Sequence, residues 1–171
     1  RVTQVVLFDA LGTLVGFAPP GPLLRTALAA RGVDVSQDEA GRAVRAEIGY
    51  YRANLHRARD AASLAELRAA CAEVVREALP ATAGLPADVL QEAVLEAFDF
   101  VAFPEVEAEL RALRAQGAVL VVCSNWDVSL HDVLDDIGLR PYLHGVVTSA
   151  ELGVSKPDPA PFRAALALVD G

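Results

Sequence analysis

The chain has 171 residues, enough for one domain or for one core with a modest insertion. Its hydrophobic share of 53% supports a packed core and excludes a disordered chain. Fifteen Lys and Arg against 23 Asp and Glu leave a net charge of −8, which argues against nucleic acid as a partner, because that affinity needs clustered basic side chains. No apolar run approaches the roughly 18 residues of a membrane span. Cys71 and Cys123 stand far apart with no C-x-x-C and no histidine at ligand spacing, so both are expected to be reduced, buried thiols of a cytoplasmic protein. The absence of methionine implies a trimmed or processed start, and a strand beginning almost at residue 1 leaves no room for a signal peptide.

The first predicted strand is Val5-Val6-Leu7-Phe8, and Asp9 follows it at once. An acidic residue directly after four strand formers sits at the carboxyl end of a buried strand, where open α/β sheets place their ligands. Gly12 permits a sharp turn, and Thr13 offers a hydroxyl. Residues 16–22 read as a linker, with three prolines and two glycines. Four helices are then expected. The first carries Leu23, Leu24, Ala27 and Leu28 and closes at Gly32. Ser36 with Glu39 forms a capping box for a second helix running towards Leu55, and Ser63 with Glu66 repeats that signature for a third. Pro86 opens a fourth, bearing Leu90, Ala93 and Val94.

The core resumes at Phe103, with a helix carrying Val106, Leu110 and Leu113. A second strand, Ala118 to Cys123, runs into Ser124-Asn125, and Asp127 is placed to cap the next helix. A third strand, Gly145 to Thr148, precedes Ser155-Lys156-Pro157-Asp158, and a last helix follows Pro159 and Pro161. A carboxylate, then a hydroxyl and an amide, then a lysine, all at strand ends, make one anion-handling site. No G-x-G-x-x-G follows the first strand, which disfavours a dinucleotide site.

On these residues the chain resembles the haloacid dehalogenase-like hydrolase superfamily. The first family motif is similar to Phe8-Asp9-Ala10-Leu11-Gly12-Thr13-Leu14, the second to Cys123-Ser124-Asn125, and the third to Lys156-Pro157. The resemblance implies an α/β fold: a Rossmann-like parallel core over 1–16 and 101–171, with three strands visible, and a four-helix cap over 17–100. It implies Asp9 as nucleophile, Lys156 as its charge partner, and Ser124 and Asn125 as holders of a small anionic substrate. Thr13 and Trp126 are further substrate-side candidates, although a lone tryptophan is more often a packing residue. From the cap, Arg45 is the chosen anion grip, in competition with Arg52, Arg57, Arg59, Tyr50 and Tyr51. His56, His131 and His144 read as structural or surface residues.

Two features depart from the family pattern. Leu11 stands where family phosphatases carry a second aspartate that protonates the leaving alkoxide, and general acid catalysis supplies about 10² to 10⁴ in rate. The family's dehalogenases lack that acid too, since halide needs no proton. Leu11 therefore tilts the reading towards 2-haloacid dehalogenase-like chemistry without a metal. The rival is a Mg²⁺-dependent phosphatase, with Asp9 and the Leu11 carbonyl among the metal ligands. The family's fourth, Gly-Asp motif has no counterpart before Gly171. The expectation is either a longer protein or a bare strand edge that pairs with a second copy, and a non-catalytic dimerising module is the rival of another class.

Overall fold

The computed structural model describes residues 4–169. In chain order its elements are β1 (Val5–Phe8), β2 (Val15–Phe17), α1 (Pro20–Ala29), α2 (Gln37–Asn54), α3 (Ala61–Ala78), α4 (Ala87–Glu96), β3 (Phe100–Ala102), α5 (Val106–Ala115), β4 (Val119–Ser124), α6 (Leu130–Asp136), β5 (Gly145–Thr148), α7 (Ser149–Leu152) and α8 (Pro159–Ala167). The described residues fall into two compact units, one of 4–16, 56–61 and 100–169, the other of 17–55 and 62–99. Among them no helix is long and apolar enough to cross a membrane.

The first unit is an α/β layer built on a parallel sheet of order β1-β4-β5. Its middle strand, β4, is buried from Leu120 to Ser124, which explains an apolar run without polar alternation. The period of two still sorts its side chains. Leu120 and Val122 face a cluster with Leu110 of α5 and Leu130 and Leu134 of α6, whereas Val121 and Cys123 cluster with Val147 of β5 and Ala165 of α8. Strand β1 is half-buried and lies at one edge of the sheet as described. Strands β2 and β3 make a separate two-stranded sheet; neither strand is among those expected from the sequence, where Gly16 and Phe17 fall in the linker and Phe100 ends the helical cap.

The second unit is four helices around one apolar cluster that includes Leu24, Leu28, Val44, Val75, Leu90 and Val94. The Ser36–Glu39 capping box is formed in both directions, with the Glu39 amide donating to Ser36 Oγ at 3.3 Å and the Ser36 amide donating to Glu39 at 2.8 Å. The second expected box is not a helix start: α3 begins at Ala61, so Ser63 lies inside its first turn. Helices α1 and α2 approach closely at two glycines, where a Cβ on Gly21 would stand 3.4 Å from the Gly41 Cα.

Glu47 of α2 is buried in this unit, only 6% exposed. Burial pushes its carboxyl above the usual 4.5, and a hydrogen bond from the Cys71 thiol offsets this only in part. With the folded value raised, the stability linked to this group is complete below 4.5 and is lost as pH rises through the folded value. Glu47→Gln should therefore raise the melting temperature of the chain at neutral pH and flatten its decline above 4.5. Thermal melts across that range check this, and an equally steep decline in the variant would contradict it.

Candidate active site

The loop after β1 is tightly wound around one carbonyl. Ala10 is fully buried, and its oxygen accepts the amides of Thr13, Leu14 and Val15 at 3.1, 2.9 and 3.0 Å. Gly12 has φ +82°, a left-handed conformation that a Cβ would strain, so glycine is required by the turn. This winding fixes the backbone of Asp9 immediately beyond the strand. Leu11 is 40% exposed on the same loop, and its side chain carries no polar atom. Thr13 is exposed, with its amide committed to the turn.

Strand order then brings the other two motifs to Asp9. The parallel register aligns Phe8 with Val122 and Ser124 with Thr148, so the ends of β1, β4 and β5 lie side by side. Ser124 Oγ donates to Asp9 Oδ1 at 2.9 Å, and Lys156 Nζ donates to the same oxygen at 2.8 Å. Both side-chain donors fall on Oδ1 and neither on Oδ2. Partial burial pushes the Asp9 carboxyl up, but the bonds from Lys156 and Ser124, with the lysine charge, outweigh it and hold the carboxyl below its ordinary 3.8. Asp9 is thus ionised at neutral pH. The neighbouring Cys123 thiol moves the other way, pushed up by burial.

Asn125 has an unexpected geometry. Its Oδ1 accepts the Lys156 amide at 2.8 Å, and its Nδ2 donates to the Lys156 carbonyl at 3.0 Å. Both halves of the side-chain amide are matched to the lysine backbone, next to the cis Lys156–Pro157 bond. Asn125→Ala should loosen Lys156 and lower turnover about tenfold, as a lost pair of hydrogen bonds of roughly 0.5–1.5 kcal/mol each implies. Steady-state rates check this, and an unchanged rate would mean that Lys156 is held without Asn125.

The remaining candidates lie as follows. Trp126 is 6% exposed, its ring 5.1 Å from that of Phe100 in the core, and its carbonyl accepts the Ala150 amide. Asp127 is buried and accepts the Ser129 amide at 2.7 Å, stabilising the turn into α6. Arg45 lies on α2 of the helical unit, where it lines a hollow with Arg42, Asp38 and the start of α1. A network unsuspected from the sequence joins α6 to α7: Glu151 accepts from Thr148 Oγ1 at 2.7 Å and pairs with His131 at 3.0 Å. As for a metal, Asp9 and the Leu11 carbonyl are oxygen donors of the right type. Among the described residues, however, no group of three or more His, Cys, Asp or Glu side chains is placed to hold an ion. No chemical step is routed through a metal.

A family model described as haloacid dehalogenase-like hydrolase matches residues 3–171. The chain belongs to that family. Over 80 residues it is 40% identical to the haloacid dehalogenase-like hydrolase domain-containing protein 3 of Mus musculus, covering 47% of this chain and 32% of the mouse protein. Over 97 residues it is 38% identical to a phosphoserine phosphatase of Thermus thermophilus, covering 54% of this chain and 39% of that enzyme. The match thus spans about a third of the mouse protein and about two fifths of the Thermus enzyme. The crystal structure of a defluorinating L-2-haloacid dehalogenase superposes with a TM-score of 0.68 at 24% identity, over 99% of this chain and 70% of that one. That likeness shows a shared fold.

Proposed function

We propose that this haloacid dehalogenase-like chain hydrolyses a small anionic substrate through a covalent intermediate on Asp9, with a leaving group that departs unprotonated. The observation that carries the reading is the convergence of Ser124 and Lys156 on Oδ1, which orients the carboxylate and leaves Oδ2 clear of both for attack. In the favoured, 2-haloacid dehalogenase-like form, an Oδ2 lone pair displaces halide from the carbon beside the substrate carboxylate. The carbon–halogen bond breaks with its electron pair going to halide. Water then adds to the ester carbonyl of Asp9, releasing the 2-hydroxy acid, a proton and the free carboxylate. Lys156 balances the charge on Asp9 and on the bound anion throughout.

Leu11 supports this choice, because it puts no carboxylic acid two residues after Asp9 to protonate an alkoxide. A phosphatase is the second reading, supported by the phosphatase name of the Thermus relative. Mg²⁺ belongs to that second reading, with Asp9 and the Leu11 carbonyl as its candidate ligands.

A series of substrates separates the two. Halide should be released from 2-haloacids without added metal, while phosphate esters should react more slowly as their leaving alcohol becomes less acidic. Leu11→Asp should raise the rate on alkyl phosphates by about 10² or more if a missing proton is the obstacle, and should do little for halide release. Fast, metal-dependent hydrolysis of an unactivated alkyl phosphate by the unaltered chain would overturn the dehalogenase form.

A further inference from the structure

The residue before β5, His144, is bound twice to one residue of the central strand. The His144 amide donates to the Leu120 carbonyl at 2.8 Å, and the Leu120 amide donates to His144 Nδ1 at 3.1 Å. The regular ladder between β4 and β5 starts one residue later, with Val121 opposite Gly145. The imidazole thus takes the place of a strand carbonyl at the amino end of β4, the end away from Ser124. Leu120 is fully buried, whereas His144 is exposed.

This bond fixes the form of the ring. A ring nitrogen that accepts a hydrogen bond carries no proton, so His144 is neutral with its single proton on Nε2. Arg114 of α5 brings a positive charge to the same place. Its Nη1 donates to the Tyr142 carbonyl at 3.3 Å and lies 3.2 and 3.3 Å from His144 Nδ1 and Nε2. The other charged or titratable groups on the elements packed here are Arg111 and Glu107 of α5, both hydrogen-bonded to the Tyr142 hydroxyl, and Arg140. Strands β4 and β5 carry none apart from Cys123. A second proton on the ring would take the lone pair that Leu120 uses, and would set an imidazolium against the Arg114 guanidinium.

We propose that His144 is a proton-operated latch at the start of the β4–β5 seam: neutral, it fastens the amino end of the central strand; protonated, it releases the Leu120 amide. Histidine is the side chain that ordinarily changes charge near neutral pH, and an exposed ring takes its proton directly from solvent. The His144 amide holds the Leu120 carbonyl in either form, so the release is confined to one bond. A buried backbone donor seldom lacks an acceptor, which makes the Leu120 amide the reporter of the latch. The inference is independent of the chemistry at Asp9 and of any substrate.

Imidazole nitrogen-15 NMR and amide exchange on the whole chain test it together. The His144 signal is the one missing from His144→Asn, and its neutral form should be the Nε2–H tautomer. As the ring takes up its second proton, protection of the Leu120 amide should fall about tenfold, the scale of one lost hydrogen bond, with the same midpoint as the ring. The Val119 amide donates to Gln4 on the β1 side at 2.9 Å and should keep its protection, which separates the latch from general unfolding in acid. His144→Asn retains an acceptor that does not titrate, so Leu120 should stay protected throughout. His144→Ala should leave it unprotected throughout; if that variant does not fold, the asparagine comparison decides alone.

An Nδ1–H tautomer, a Leu120 amide indifferent to the charge on the ring, or equal losses at Val119 and Leu120 would each overturn the proposal. So would a Leu120 amide that is protected in His144→Ala, or one that is unprotected or still falls with pH in His144→Asn.

Discussion

Asp9→Asn should abolish turnover, by on the order of 10⁴-fold or more, while leaving the chain folded. The carboxamide keeps the size of the side chain and an oxygen for Ser124 to donate to, but it has no anionic lone pair with which to attack. What it loses structurally is a partly exposed ion pair, with side-chain exposures of 20% for Lys156 and 44% for Asp9. Such a pair contributes at most about 1 kcal/mol after solvent screening. The melting temperature should therefore barely move while the rate collapses. Rates and thermal melts on the same preparation check both halves, and substantial residual turnover would remove Asp9 from the chemistry.

Lys156→Ala should cost about 10² to 10³ in rate, the usual scale for removing a preorganised charge from a site. It should also change the pH dependence, in a direction that the geometry dictates. In the unaltered chain, burial raises the Asp9 carboxyl, but the lysine and serine hydrogen bonds bring it below 3.8. The stability linked to that carboxyl is accordingly present above 3.8 and is lost as pH falls through the lowered folded value. Without Lys156 the strongest lowering cause is gone and burial remains. The acid limb of the rate profile should then move to higher pH. A variant whose limb stays where it was would show that Lys156 does not set the charge on Asp9.

The parts of this architecture that were legible in the sequence are those encoded locally. Val5 to Phe8 followed by Asp9 announces a strand end, and the buried run of β4 announces a covered strand, because burial on both faces demands apolar side chains in succession. Ser36 and Glu39 carry a complete helix start within four residues. Ser63 and Glu66 carry the same letters, but the helix already begins at Ala61, and a capping pattern cannot announce that it lies one turn too late.

Strands β2 and β3 were missed because three-residue strands beside glycine and proline have too little pattern of their own and form only by pairing with each other. Asn125 was legible as a polar residue at a strand end, but not as a clamp on the Lys156 backbone. An amide both donates and accepts, so its partner is decided by the fold. The placement of 56–61 in the unit that carries Asp9 was the least legible feature. A backbone bond from Val128 to Ala58 and the Arg59 guanidinium against Gly153 are long-range contacts that no hydrophobic period encodes.

The most direct test of the account is to quench the full-length protein with acid during turnover of a 2-haloacid, digest it, and weigh its peptides. The account predicts a covalent adduct on the peptide containing Asp9, mapped to that residue and absent from Asp9→Asn. An adduct on another residue, or full turnover with Asp9 unmodified at every time sampled, would contradict it.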